Sequence, residues 1–224
     1  MLKIDKAEEP QEFVDFKKTH PKQWDEIDNV PGLKKRLRDY LLEHEQKINS
    51  SYCCVYCERK ISLERSHIEH IKPKSVYKAD TFNYQNLTVS CQEDKDKVKV
   101  KGLKRNLKTC GHYKENRFDE AKFINPVLDY PKDFFTYDIT TGNVISREGL
   151  SGKEQGKANY TIDLLNLNHA YLADTRTEII NNFRSIENRE ELLYVLDHFD
   201  QFPGVVDFFR SEYLDIWSEM HAAT

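Results

Sequence analysis

Four cysteines and a short polar run carry the chemistry that can be read from this chain. Cys54-Val-Tyr-Cys57 sets two thiols at a spacing that lets both bind one Zn²⁺ at about 2.3 Å with little strain. Tetrahedral zinc needs two more ligands. Cys91, ending a strand-like run, and Cys110, beside a glycine, are the candidates. Cys53 is the spare, and its three-residue spacing to Cys57 keeps it open as an alternative ligand. A structural zinc contributes on the order of 10 kcal/mol of folding free energy. That is enough to hold a ~60-residue module with a small core of its own. No βαβ pattern surrounds the Cys-x-x-Cys pair, which argues against a redox dithiol.

The second group is Glu69 and His70, in "SHIEHIKP". Phosphodiester hydrolysis needs a base for water, a cation for the developing charge and positive groups for the backbone. Histidine, with an ordinary pKa of about 6.5, suits the base. A carboxylate with one neutral ligand suits a divalent cation that keeps open positions. Neighbours on a strand point to opposite faces, so the strand must end or bend for both to serve one site. Pro73 fits such a break. His67 lies on the Glu69 side and is a candidate supporting group.

Residues 58 to 117 carry 15 Lys and Arg against 8 Asp and Glu, while the rest of the chain carries 19 against 30, within a net charge of −4. A basic island in an acidic chain points to a polyanionic partner. No apolar run approaches the roughly 18 residues of a membrane span, and acids with a proline stand where a leader would be apolar. The expected location is the cytoplasm, where clustered cysteines favour metal over disulfides.

The elements around these residues are legible from periodicity. "EPQEFVDFKKTH" and "VPGLKKRLRDYLLEHEQKI" read as helices, the second with a stripe of Leu33, Leu37, Tyr40, Leu41 and Ile48. "SHIEHI" and "NLTVSC" read as strands, and "DKVKVKG" alternates with period two. "HYKENRFDEAKFI" reads as a helix and "FFTYDITTGNVISREG" as a β-hairpin. Beyond Thr161 three apolar stripes predict helices to the end of the chain.

The ordered set "EHIKP", "NL" and "CGHYK" resembles the HNH endonuclease motif, the ββα-metal finger. The resemblance implies His70 as general base and Glu69 as ligand of a catalytic divalent ion, Mg²⁺ by availability or Mn²⁺, Ni²⁺ or Zn²⁺. It implies Asn86 as the residue that steadies the loop between the strands. It implies His112 as the second metal ligand, with Asn116 as the fallback because Gly111 separates His112 from Cys110. The wider pattern, from about residue 40 to 176, is similar to PtuB-like HNH proteins. These are anti-phage effectors encoded beside a PtuA ATPase in Septu systems and some retrons.

The expected fold is therefore α+β: an N-terminal helical segment (1–50), a zinc-stapled HNH module (51–124) and a C-terminal hairpin with helices (125–224). The expected activity is metal-dependent hydrolysis of DNA, with structured RNA such as tRNA as the alternative substrate. A non-catalytic zinc adaptor for nucleic acid or an ATPase is the other reading, and it has no need of Glu69 and His70. Lys72, Lys74, Lys114 and Arg117 flank the site as candidate phosphate contacts, and Lys95, Lys97, Lys99 and Lys101 as a basic strand face. The resemblance implies a PtuA-like ATPase as partner, with a retron reverse transcriptase and its RNA and DNA as further company. Trp24 and Trp217 are candidate anchors for that docking.

Overall fold

A two-stranded antiparallel ladder lies between the two groups of chemical residues. In the computed structural model, which describes residues 1–92 and 108–221, β4 (Ser66–His70) pairs with β5 (Leu87–Cys91). The register runs from Ser66 opposite Cys91 to His70 opposite Leu87. Both match the strands expected from "SHIEHI" and "NLTVSC". The lysine face expected at Lys95, Lys97, Lys99 and Lys101 lies outside the described residues.

Before the ladder come α1 (Gln11–Lys17), a 3-10 turn (Trp24–Asn29), α2 (Leu33–Glu45) and a small meander of β1 (Lys47–Ile48), β2 (Ser51–Cys53) and β3 (Lys60–Ile61). Leu33, Leu37, Leu41 and Leu42 bury one face of α2. Buried Gln46 stitches the meander to the ladder. Its amide donates to the Cys53 and Val89 carbonyls at 2.8 Å and accepts from Val89 N at 2.7 Å.

After the ladder comes α3 (Cys110–Lys114), one turn long. The helix expected from His112 to Ile124 stops there, with Glu115 at φ +52°. The reversal lets Phe118 and Phe123 pack together at 5.2 Å, and Phe123 meets Tyr56 at 6.3 Å. A continued helix would project those two rings onto different faces, five residues apart.

The hairpin forms as expected from β6 (Phe135–Tyr137) and β7 (Val144–Ser146), with Gly142 at φ +66° in the turn. α4 (Gly152–Leu165) begins nine residues before the helical region expected from Thr161. Its start is a capping box, in which Glu154 Oε2 accepts from Ser151 N at 3.0 Å and Ser151 caps Glu154 N. α5 (Ala170–Arg184) and α6 (Arg189–His198) follow. The last stripe is α7 (Pro203–Phe208), a π turn (Phe209–Tyr213) and α8 (Leu214–His221). Buried residues from all three expected segments join one apolar cluster. Among the described residues no helix is long and apolar enough to cross a membrane.

Trp24 and Trp217 are both buried rather than displayed to a partner. Trp217 donates its Nε1–H to the Ile186 carbonyl at 3.1 Å, and Trp24 packs edge to face against the His70 ring, behind the cleft described next. Large apolar rings cost free energy in water, and here the fold supplies each with a buried seat.

Candidate active site and thiol cluster

The four expected cysteines converge. Cys54 and Cys57 come from the turn between β2 and β3, Cys91 ends β5 and Cys110 begins α3. Their Sγ atoms all lie within 4.8 Å of one another, and every one is buried. The Cys54 and Cys110 sulfurs are 3.8 Å apart. A tetrahedron with arms of about 2.3 Å has edges of about 3.8 Å, so the set fits one tetrahedral metal ion. Cys91 N donates to Cys54 Sγ at 3.4 Å, the kind of support that steadies a thiolate ligand.

Burial pushes the Cys54 thiol up, but hydrogen bonds from Cys110, Cys57 and Cys91 outweigh it and hold Cys54 well below the ordinary range. Cys91 is pushed up chiefly by its bonds to Cys110, Cys54 and Cys57, and Cys110 chiefly by burial. Cys110 takes φ +54°, a strained value for a residue with a Cβ, where the chain swings its sulfur into the cluster. Cys53 stands outside, its thiol donating to the Asp200 carbonyl at 3.6 Å.

The far end of the β4–β5 ladder opens onto a cleft of about 310 Å³ lined by His67, Glu69, His70, Lys74, His112 and Asn116 among others. Glu69 and His70 both reach it because β4 ends at His70. Lys114 holds that end. Its Nζ donates to the His70 and Ile71 carbonyls, each at 2.8 Å, and pairs with Glu69 Oε1 at 2.9 Å. Expected on the surface against phosphate, Lys114 is instead 1 % exposed. It lies four residues after Cys110, so the helix turns it to the same inward face.

Tyr56 Oη donates to Glu69 Oε1 at 3.3 Å, and Glu69 Oε2 lies 3.4 Å from His67 Nε2. Burial would raise the Glu69 pKa, but Lys114 and His67 outweigh it and hold the carboxyl at about 2. Gly111 leaves room for this carboxylate: a Cβ there would collide with Oε2. The residue that separates Cys110 from His112 thus has a steric reason to be glycine. The His112 ring lies on the His67 ring, centroids 4.6 Å apart and nearly parallel at 6°.

His70 Nε2 is 3.0 Å from the Thr81 carbonyl, which only accepts, so Nε2 carries the proton. In the neutral ring Nδ1 then holds the lone pair. Burial, with Lys74 and Lys114 adding to it against the opposing Thr81 bond and Glu69 charge, pushes His70 down to about 4. The ring is therefore neutral at pH 7, with its Nδ1 lone pair free of a proton. Asn86 ties down the loop between the strands. Its Oδ1 accepts from Lys72 N at 2.7 Å, and its Nδ2 donates to the Lys72 and Asp80 carbonyls, both at 3.0 Å.

The remaining cations divide. Lys74 is exposed at the rim of the cleft. Lys72 pairs with Glu120 at 2.5 Å. Arg117 turns to the Tyr113 and Leu164 carbonyls and does not line the cleft. Asn116 does line it, and its Oδ1 accepts from Ser75 Oγ at 2.6 Å. Thr81, Tyr56 and Trp24 are contacts that sequence reasoning missed. Only the Cys110–Lys114 interval carried a readable signal.

Residues 54–99 match the family model described as HNH endonuclease. A protein of Vibrio cholerae serotype O1 biovar El Tor, described as "Retron Vc95 putative HNH endonuclease", is 33% identical over 168 residues, covering 74% of this chain and 69% of that protein.

Proposed function

Because the chain belongs to the HNH endonuclease family, we propose that it hydrolyses nucleic-acid phosphodiesters with His70 as general base. The observation that carries this is the Thr81 bond to His70, which leaves Nδ1 as the proton acceptor beside an ionised Glu69. His70 takes a proton from water, the water oxygen forms a bond to phosphorus, and the opposite P–O ester bond breaks. Glu69 Oε2 and His112 are the groups that would hold a divalent ion, Mg²⁺ by default, with Asn116 in reserve for His112. Such an ion would supply positive charge for the phosphorane and the departing oxygen. Lys74 is placed to attract the substrate backbone.

The four-thiol set is assigned to Zn²⁺, because four closed thiolates suit a structural site and leave no position for substrate. The segments 1–50 and 125–224 serve as the flanks that a partner engages.

The Vibrio relative's retron designation and the PtuB-like pattern together support a role as effector in a retron-type or Septu-type anti-phage system in the cytoplasm. The partner in this reading is a PtuA-like ATPase, accompanied in a retron by a reverse transcriptase with its RNA and DNA. DNA is the favoured substrate and tRNA the alternative.

The test is cleavage of labelled plasmid DNA and of bulk tRNA by wild type and His70→Ala, with and without the co-expressed ATPase. Loss of all cleavage in His70→Ala with an unchanged fold is expected. Wild-type rates in His70→Ala would remove the mechanism, and separate elution of chain and ATPase would remove the partner.

A further inference from the structure

The Thr81 bond holds one end of the His70 ring, and a single hydrogen bond is a pivot about which an imidazole can still swing. The second restraint comes from far away in the chain. The Trp24 ring meets the His70 ring edge to face, with centroids 4.5 Å apart and planes at 86°. The same indole stacks on Phe82, the residue after Thr81, at 5.8 Å and 30°. Phe16 in turn packs edge-on against Phe82 at 5.8 Å. One side chain therefore braces both the imidazole and the backbone segment that supplies its acceptor.

Trp24 is itself held. It opens the 3-10 turn whose start is fixed by Glu26 Oε1, accepting from Gln23 N at 2.7 Å and Lys22 N at 2.8 Å. Ile27 of the same turn is fully buried.

We infer that Trp24 is a positioning residue for the reaction, acting through the orientation of His70. The inference rests on His70 being the base. Trp24 does not line the cleft, so it has no direct route to substrate binding. A base displaced by about 1 Å loses on the order of 10²-fold in rate. The N-terminal segment is then part of the catalytic apparatus as well as a flank of it.

The experiment compares Trp24→Ala, Trp24→Phe, Trp217→Ala and His70→Ala in the full chain. Mg²⁺-dependent cleavage of labelled DNA and tRNA is measured, with rates divided by the folded fraction from near-UV circular dichroism. Trp24→Ala is expected to lower kcat by about 30- to 100-fold with KM within twofold. Trp24→Phe, which keeps a flat ring, should recover to within about fivefold of wild type by the same argument. Trp217→Ala, which removes an equally buried indole bonded instead to the Ile186 carbonyl, should keep the wild-type kcat per folded molecule.

A wild-type kcat in Trp24→Ala alongside an inactive His70→Ala would overturn the positioning role and leave the base intact. Equal kcat losses in Trp24→Ala and Trp217→Ala would overturn it too, as a general packing effect. Full activity in His70→Ala would overturn the base assignment and this inference with it. If Trp24→Ala fails to fold, Trp24→Leu fills more of the apolar space than alanine while still lacking the ring. The same kcat loss is then expected, and a wild-type kcat overturns the role.

Discussion

The thiol cluster gathers at one end of a short ladder, and the cleft is lined along β4 from His67 to His70 at its other end. The two are built on opposite principles. Cys91 pairs with Ser66 at one end of β4–β5, and His70 pairs with Leu87 at the other. α3 serves both, with Cys110 in the cluster and His112 and Lys114 at the cleft. The cluster is buried and closed, four donors of one kind. The cleft is half open, and its charges are of both signs: Glu69 is balanced by a buried Lys114, and His70 is kept neutral. A closed donor set suits an ion that stays, whereas an open set with balanced charge suits a reaction whose substrate must enter and leave. On the proposed assignment, a metal held by the thiols would keep Glu69 and His70 in register through the shared ladder.

The sharpest way to break this pairing is Cys54→Ser. If the thiols hold zinc as proposed, a site worth on the order of 10 kcal/mol goes with Cys54, and the variant should lose metal, cooperative melting and activity together. Metal analysis with thermal melts checks it, and a metal-free variant with full activity would separate the two ends. His70→Ala should do the converse, losing roughly 10²–10⁴-fold in rate while keeping its metal content and a cooperative melt.

Lys114→Met probes the joint between the two ends. Stranding a buried Glu69 carboxylate should cost about 3–5 kcal/mol in denaturant unfolding. A loss under about 1 kcal/mol would mean that the carboxylate finds other support. Gly111→Ala should cost about 1–3 kcal/mol through the clash with Glu69, accompanied by a fall in activity, since the carboxylate is what must give way. Smallest of all, Lys74→Ala should weaken substrate binding a few-fold and lessen the salt dependence by about one phosphate contact. An unchanged salt slope would take Lys74 off the substrate path.

Residue type and spacing were enough to pick out the four cysteines whose sulfurs converge, because thiols grouped in a basic module have few chemical alternatives. They also located β4, β5, the hairpin and most helices, since period-two and period-3.6 patterns are local. The capping box at Ser151 is equally local, yet the apolar stripe that marks the helix becomes plain only beyond Thr161. Glu69 and His70 could be named as a pair, but not how both face one cleft. That depends on Lys114 closing the end of β4 from 44 residues downstream.

The amino-acid sequence by itself determined which atoms this protein can bring to chemistry: thiolates for a metal, a carboxylate, imidazoles and a surface lysine. Only the tertiary structure decided what state those atoms are in. The Thr81 carbonyl selects the His70 tautomer, burial drives that ring neutral, and an ammonium under the strand keeps Glu69 ionised. Trp24 reaches His70 from 46 positions away, with no periodicity to announce it. Tautomer, charge and ring orientation are set by what lies within a few ångströms, and packing between distant segments determines what lies there.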